Sequence, residues 1–254
     1  MSICIIAKKN QMINLVIDLG NTRLKFGVYE KNILRSNWAG DIELAKDKLE
    51  DYLKEYPINH ITICATGNSK DFVTFIEKKG LSYELITSDT PMPFINGYKT
   101  PQTLGIDRMV LVAGSQFLFP KENVLVIDAG TCITYDFKDC KEVYQGGSIS
   151  PGLQMRYKAM HEFTTKLPHL KAIETEAAVI GKDTEGAMHS GVINGITQEI
   201  DGLIDWYKSE FEDLKIILTG GDGQFLSGRL KNGIFANSNF LLEGLNYITV
   251  FNKS

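Results

Sequence analysis

Apolar segments alternate with amphipathic ones along most of the chain, and this alternation predicts strands that are followed by helices. The strands predicted in the first half are 13–18, 23–30, 32–38, 60–66 and 82–87, of which the first three are expected to form a meander. The helices predicted there are 41–56, with Asp41 as a candidate N-cap, and 70–79. Strands that alternate with helices indicate an α/β fold with parallel pairing.

The periodicity breaks between residues 88 and 105, a segment that holds three prolines and two glycines. We predict a loop there. Long loops inside compact domains are usually functional, so this segment is a candidate for part of a binding site. A helix over 106–118 follows it.

The second half repeats the order of the first. Its predicted strands lie in 124–137, where a turn divides two of them, in 141–152 and in 214–226. Its predicted helices are 152–163, 184–210 and 240–251. We therefore expect two halves, 12–120 and 121–254, behind an N-terminal extension over 1–11. That extension is either dispensable or the product of a wrongly chosen upstream start codon.

Both halves carry a polar turn at the end of a buried strand. Asp18 opens DLGNT at 18–22, and Asp128 opens DAGT at 128–131. Glycine lets backbone N–H groups approach a ligand, and N–H groups concentrated in this way bind anions. Because a carboxylate repels phosphate, its natural partner is a cation such as Mg²⁺. Two facing turns would hold a polyphosphate and its metal, although Asp and Gly are also ordinary turn residues.

Other nucleotide-binding motifs do not occur in the sequence. There is no Gly-x-x-x-x-Gly-Lys-Ser/Thr segment, which argues against a P-loop. The first strand is not followed by Gly-x-Gly-x-x-Gly, which disfavours a dinucleotide fold.

Composition and charge argue against several classes of protein. The net charge of −4, without a basic stripe, argues against nucleic acid as the partner. No run approaches the ~20 apolar residues that cross a bilayer, so we expect no membrane association. The four cysteines form no C-x-x-C pair, which favours a reducing compartment and predicts a cytoplasmic location. They are Cys4, Cys64, Cys132 and Cys140.

Four motifs in order carry a resemblance to a known family: DLGNT at 18–22, LGIDR at 104–108, DAGT at 128–131 and GGSISPG at 146–152. The sequence resembles the type III pantothenate kinases, within the ATPase superfamily of actin, heat-shock chaperones and sugar kinases. The resemblance implies an α/β protein with a duplicated ribonuclease H-like, actin-like ATPase fold, whose mixed central sheets are flanked by helices.

The resemblance also implies an activity and its cofactors. These are ATP-dependent phosphorylation of pantothenate to 4′-phosphopantothenate, the first step of coenzyme A biosynthesis, with Mg²⁺ and a monovalent cation, K⁺ or NH₄⁺. Members of the family are homodimers whose substrate pocket is completed across the interface. The apolar side of helix 184–210 is a candidate for that contact, and an ordinary core face explains the same pattern.

For ATP and its metal, the resemblance assigns residues in both turns. Those expected to bind ATP phosphates are Asp18, Leu19, Gly20, Asn21, Thr22, Arg23, Lys25, Gly130 and Thr131. Asp18 and Asp128 are the expected metal ligands. Lys25 is equally well read as an exposed strand lysine. Gly220 and Gly221 resemble the superfamily's turn on the adenosine side.

For the acceptor, the resemblance assigns Tyr98, Gly105, Ile106, Asp107, Arg108 and Thr184. Asp107 is the expected catalytic base for the pantothenate hydroxyl, and Arg108 the partner of the pantothenate carboxylate, roles that suit both side chains. Gly146 and Gly147 would approach the pocket. The structural alternatives are a first-turn acidic residue for Asp107 and a helix N-cap for Thr184.

Two departures from the family pattern remain. The family often has Ser-Thr where this chain has Asp183 and Thr184, which leaves Asp183 without a role. The histidines match no motif. The alternatives to a pantothenate kinase are another small-molecule kinase of the superfamily, acting on a sugar or acetate, and a catalytically silent nucleotide-binding regulator.

Overall fold

The computed structural model describes residues 12–20, 23–67 and 70–253, and the predicted extension over 1–11 lies outside them. The strands are β1 (Ile13–Leu19), β2 (Leu24–Glu30), β3 (Ile33–Gly40), β4 (His60–Ala65), β5 (Glu84–Leu85), β6 (Ile95–Asn96), β7 (Val124–Ala129), β8 (Cys132–Lys138), β9 (Val143–Pro151), β10 (Lys215–Thr219) and β11 (Phe235–Ala236). The helices are α1 (Ile42–Glu55), α2 (Lys70–Lys78), α3 (Ile106–Leu118), α4 (Leu153–Glu162), α5 (Thr184–His189), α6 (Gly195–Glu210), α7 (Gly223–Ser227) and α8 (Phe240–Phe251).

The chain forms two compact units. The first comprises the described residues up to Pro91, Gly105–Asp107 and the described residues from Leu242 onward, and the second comprises Met92–Leu104 and Arg108–Leu241. The units differ from the predicted halves, because α8 packs with the first sheet and most of α3 belongs to the second unit.

The first unit is built on a five-stranded mixed sheet in the order β3-β2-β1-β4-β5. β1 and β4 are parallel, and β1, β2 and β3 form an antiparallel meander, both as predicted. The meander forms because only Lys31 and Asn32 separate β2 from β3, which allows a hairpin but no crossover. Alternate residues of β1 pack with α1 and α2 in one core cluster.

The opposite face of this sheet is covered by α8. Asn14 of β1 donates from Nδ2 to Oδ1 of Asn246 over 3.0 Å. The hydroxyls of Thr62 and Thr249 lie 2.7 Å apart, and all four residues are buried. These polar pairs fix α8 on the sheet because buried polar groups require partners.

The second unit repeats the central part of this topology. Its sheet has the order β11-β10-β7-β8-β9-β6, in which β7, β8 and β9 are antiparallel and β10 runs parallel to β7. Alternate residues of β7 and β8 pack with α4 and α6 in a second core cluster. The predicted α/β fold with mixed sheets flanked by helices is confirmed.

The predicted helix 184–210 is interrupted. α5 and α6 are separated by a π-helical turn at Ser190–Asn194. The apolar side chains proposed for a dimer contact are mostly buried in the core cluster of their own unit, so the core-face alternative is confirmed; they are Val192, Ile193, Ile196, Ile200 and Ile204, with Leu203 partly buried beside them.

The predicted loop 88–105 contains short elements that the sequence pattern did not indicate. β6 pairs in parallel with the start of β9, and a 3₁₀ turn covers Pro101–Thr103. The loop therefore joins the edge of the second sheet. Elsewhere Asp41 is the N-cap of α1, as predicted, although its side chain makes no capping hydrogen bond.

Candidate active site

Asp18 is held at the end of β1 between two strands. It is only 6% exposed. Its cross-strand neighbours are Lys25 on β2 and Cys64 on β4. Directly opposed side chains on adjacent strands lie on the same face of the sheet. The side chains of Asp18 and Lys25 therefore lie on the same face of the sheet, next to each other across the two strands.

Asp107 lies in the first turn of α3 and shares a neighbour with Asp18. That neighbour is Cys64, which is fully buried. Burial raises the pKa of the Cys64 thiol well above its usual value, and the charges of Asp18 and Asp107 raise it further. The thiol is thus neutral, and the charges of Asp18 and Asp107 both act on it.

Asp128 holds the equivalent position in the second unit. It lies on β7 opposite Thr134 of β8 and Thr219 of β10. The turn that follows is closed by the N–H of Gly130, which donates to the carbonyl oxygen of Cys132 over 3.0 Å. The two turns that the sequence predicted as a repeat thus lie in equivalent positions, each at the end of a central strand of its own sheet.

The Gly-Gly turn after β10 packs against this Asp128 turn. The N–H of Asp222 donates to the carbonyl oxygen of Ala129 over 2.9 Å. Gly220 has a φ of +94°, and a Cβ there would collide with that carbonyl and lie 2.5 Å from Oδ1 of Asp128. Only glycine fits this position.

Arg108 is buried in the second unit beside Asp136. Its Nε and Nη2 atoms each lie 2.8 Å from Oδ1 of Asp136. Burial alone would lower the pKa of Arg108, but the charge and hydrogen bonds of Asp136 raise it above its usual value. The guanidinium therefore keeps its charge inside the unit.

Tyr98 joins the same group from the loop before α3. Its ring stacks on Tyr144 with centroids 5.9 Å apart and an interplanar angle of 13°. The guanidinium carbon of Arg108 lies 5.7 Å from the centroid of the Tyr98 ring. Gly146, at a φ of +107°, lies beside the Tyr98 ring. The predicted acceptor residues Tyr98 and Arg108 are thus in contact.

The other predicted site residues differ in how far they are exposed. Leu19 belongs to the core, so only its backbone is available to a ligand. Arg23 and Thr131 are exposed, while Gly20, Lys25, Gly105, Ile106 and Gly130 are half-buried. Asn21 and Thr22 lie outside the described residues.

Thr184 is exposed and begins α5. Its alternative role as the N-cap is wrong, because Asp183 is the cap and accepts the N–H of Gly186 over 2.7 Å. Asp183 thereby gains a structural role that the sequence left open.

Sequence reasoning missed Asp136 and Tyr144. A signal was present, because Thr134, Asp136 and Lys138 alternate with apolar residues in CITYDFK and place a carboxylate inside a strand. The partner of that carboxylate, 28 positions earlier in the chain, could not be read from this pattern.

The residues suit a magnesium ion that is bound mainly by its substrate. Residues 12–20, 23–67 and 70–253 contain no group of three or more His, Cys, Asp or Glu side chains that could hold a metal ion. Mg²⁺ commonly takes one or two protein carboxylates and completes its shell with water and phosphate oxygens. Asp18 and Asp128 offer carboxylates of this kind.

Comparison with known proteins gives consistent similarities. A family model for type III pantothenate kinase matches residues 14–206. The type III pantothenate kinase of Flavobacterium johnsoniae is 47% identical over 91% of this chain and 95% of its own length. That of Christiangramia forsetii is 49% identical over 95% of this chain and 99% of its own length.

Solved structures share the fold at low sequence identity. A protein from Campylobacter jejuni named as a Baf family transcriptional activator superposes with a TM-score of 0.62 at 22% identity, over 94% of this chain and 98% of its own. Glucokinase from an Antarctic psychrotroph has a TM-score of 0.51 at 11% identity, over 94% and 99%. The glucokinase bears out the duplicated fold. Separately, no helix in the described part of the chain is long and apolar enough to cross a membrane.

Proposed function

We propose that this chain, which belongs to the type III pantothenate kinase family, catalyses the ATP-dependent phosphorylation of pantothenate to 4′-phosphopantothenate. The observation that carries this proposal is the similarity to pantothenate kinases over almost the whole length of both chains. The activity is that of a phosphotransferase with an alcohol acceptor, and its product enters coenzyme A biosynthesis.

Asp107 is the base of the proposed reaction. Its carboxylate accepts the proton of the primary hydroxyl of pantothenate as the hydroxyl oxygen forms a bond to the γ-phosphorus. The bond from that phosphorus to the bridging oxygen breaks, and ADP leaves with the electron pair. A half-buried carboxylate in the first turn of a helix suits this role, because it is fixed by the backbone and remains accessible.

Asp18 and Asp128 would hold Mg²⁺ through their carboxylates, directly or through water. When bound, the metal neutralises charge on the phosphate oxygens. Lys25 lies beside Asp18 and adds positive charge for the phosphates. Gly20 and Gly130 carry no side chain, which would let a phosphate approach the backbone of the two turns closely.

Arg108 and Tyr98 would bind the pantothenate. An arginine suits the single carboxylate of this substrate because its guanidinium keeps its positive charge inside the unit. Tyr98 is half-buried and offers an aromatic wall to the acceptor. Thr184 remains a predicted contact of the same substrate.

Three finer features complete the proposal: a monovalent cation, a homodimer and a cytoplasmic location. The cation is implied by family membership alone. Exposed apolar side chains of the second unit support a second copy as a partner; they include Ile149, Phe163, Val179 and Ile180. The described cysteines are free thiols, which supports a reducing compartment.

A substrate panel tests the proposed function. Purified protein is assayed with ATP and Mg²⁺ on pantothenate, glucose, N-acetylmannosamine and acetate, with and without K⁺. We expect turnover of pantothenate only, and faster turnover with K⁺. Turnover of a sugar without pantothenate would assign another kinase activity, and nucleotide binding without any turnover would assign a silent regulator.

A further inference from the structure

Asp136 is the centre of a buried polar network in the second unit. Besides the two nitrogens of Arg108, it accepts the hydroxyl of Tyr144 at Oδ1 over 2.7 Å and that of Thr134 at Oδ2 over 3.0 Å. It is 0% exposed. The carboxylate therefore accepts three hydrogen bonds, from Nε of Arg108, Tyr144 and Thr134, pairs with the charge of Arg108, and has no access to water.

Tyr144 acts only as a donor in this network. Burial, followed by the charge of Asp136, raises the pKa of its phenol above the usual value. The proton thus stays on Tyr144, and its ring is fixed where Tyr98 stacks on it. Asp136 consequently determines the orientation of Arg108 directly and that of Tyr98 through Tyr144.

Stability alone gives no reason for this network. Buried ion pairs are often no more stabilising than apolar side chains of similar volume. The ion pair between Arg108 and Asp136 instead fixes the orientation of the guanidinium. A binding site needs its charged groups held in fixed orientations. Both groups that Asp136 orients are the residues assigned to the acceptor, and neither is assigned to ATP.

We propose that Asp136 is a positioning residue for the acceptor, which holds Arg108 and, through Tyr144, Tyr98 in the orientation that binds pantothenate. This inference rests on the proposed function. The specificity of the acceptor pocket then depends on Asp136, a side chain enclosed in the unit.

Asp136→Asn is the direct test, because it keeps the size of the side chain and removes the charge. KM for pantothenate and for ATP are measured separately in the full chain. We expect KM for pantothenate to rise by about tenfold to a hundredfold, the effect of weakening hydrogen bonds to a charged group. KM for ATP should change by less than about twofold, since uniform loss of structure would affect both substrates.

Asp139→Asn is the matched control. Asp139 follows β8 and accepts the N–H groups of Lys141 and Val143 within its own turn. It makes no contact with Arg108 or Tyr144 in the network described above. Its substitution should leave both KM values unchanged.

A double-mutant cycle shows whether Asp136 acts through Arg108. Arg108→Met removes the positioned group, so adding Asp136→Asn to it should raise KM for pantothenate much less than Asp136→Asn does in the wild type. If the two effects multiply, or if both KM values rise equally, the positioning role is overturned.

Tyr144→Phe keeps the proposal testable if Asp136→Asn does not fold. It retains the ring that stacks on Tyr98 and removes only the hydroxyl. We expect KM for pantothenate to rise about threefold, and an unchanged KM would contradict the proposal. A wild-type chain that does not phosphorylate pantothenate would overturn the proposed function together with this inference, whereas active wild type with unshifted variants would overturn this inference alone.

Discussion

At the scale of single residues, Asp107 has two explanations that make different predictions. An acidic side chain in the first turn stabilises a helix by about 0.3–1 kcal/mol whether or not it has a catalytic role. α2 offers an independent example, since Asp71 is the acidic residue of its first turn and is exposed. Substituting Asp107 and Asp71 in parallel therefore separates a loss of helix stability from a loss of catalysis.

We expect Asp107→Asn to lower kcat for pantothenate by about 10²–10⁴-fold, because an amide cannot accept the proton. Asp71→Asn should leave kcat unchanged. Steady-state kinetics of both variants, with circular dichroism as a check on folding, make the comparison. Comparable kcat values in the two variants would refute the assignment of Asp107 as the base.

Gly220 and Gly221 provide a second matched pair. Gly220→Ala forces a side chain into a φ of +94° and against the Ala129 carbonyl, whereas a Cβ at Gly221 meets nothing within 4 Å. We expect Gly220→Ala to lower the free energy of unfolding by about 1–3 kcal/mol and Gly221→Ala to change it by less than about 0.5 kcal/mol. Denaturant unfolding measures both, and equal losses would show that the turn tolerates a side chain.

At the scale of elements, α8 is held on the first sheet partly by the hydrogen bond between the hydroxyls of Thr62 and Thr249, and the direction of this bond can be assigned. The Thr249 hydroxyl donates to the carbonyl oxygen of Leu245 over 2.9 Å, so the Thr62 hydroxyl is the donor in the pair with Thr249. Removing Thr249 leaves a buried donor without an acceptor. Removing Thr62 does not.

Thr249→Val should therefore lower the free energy of unfolding by about 1–3 kcal/mol, and Thr62→Val should cost less. The double variant should be more stable than Thr249→Val alone, since it has no unsatisfied hydroxyl. Denaturant unfolding of the three variants tests this order. A double variant less stable than either single one would contradict the assigned donor.

Elements with strong local signals were predictable from sequence. α3 and α8 begin and end at the predicted residues, because continuous apolar periodicity defines a helix by itself. β6 was missed, since a two-residue strand exists only through its pairing with β9. The same distinction holds in the site: the Asp18 and Asp128 turns are local patterns, whereas the pairing of Arg108 with Asp136 is a tertiary contact.

At the scale of the whole molecule, ATP with Mg²⁺ should stabilise the native chain. A ligand that binds only the native state raises the free energy of unfolding by about 2.7 kcal/mol at a hundred times its Kd. We expect the melting temperature to rise with ATP and Mg²⁺ and most of the rise to disappear with EDTA. Asp18→Asn should show a smaller rise, and an equal rise in that variant would argue against Asp18 as a metal ligand.

The position of α8 also imposes an order on biosynthesis. The second unit ends at Leu241, whereas the first sheet needs residues from Leu242 onward to cover Asn14 and Thr62. On the ribosome, the half that is made first is therefore completed last, the reverse of the usual order for domains. Until α8 has left the ribosome, the nascent first sheet therefore has one face that is not yet covered.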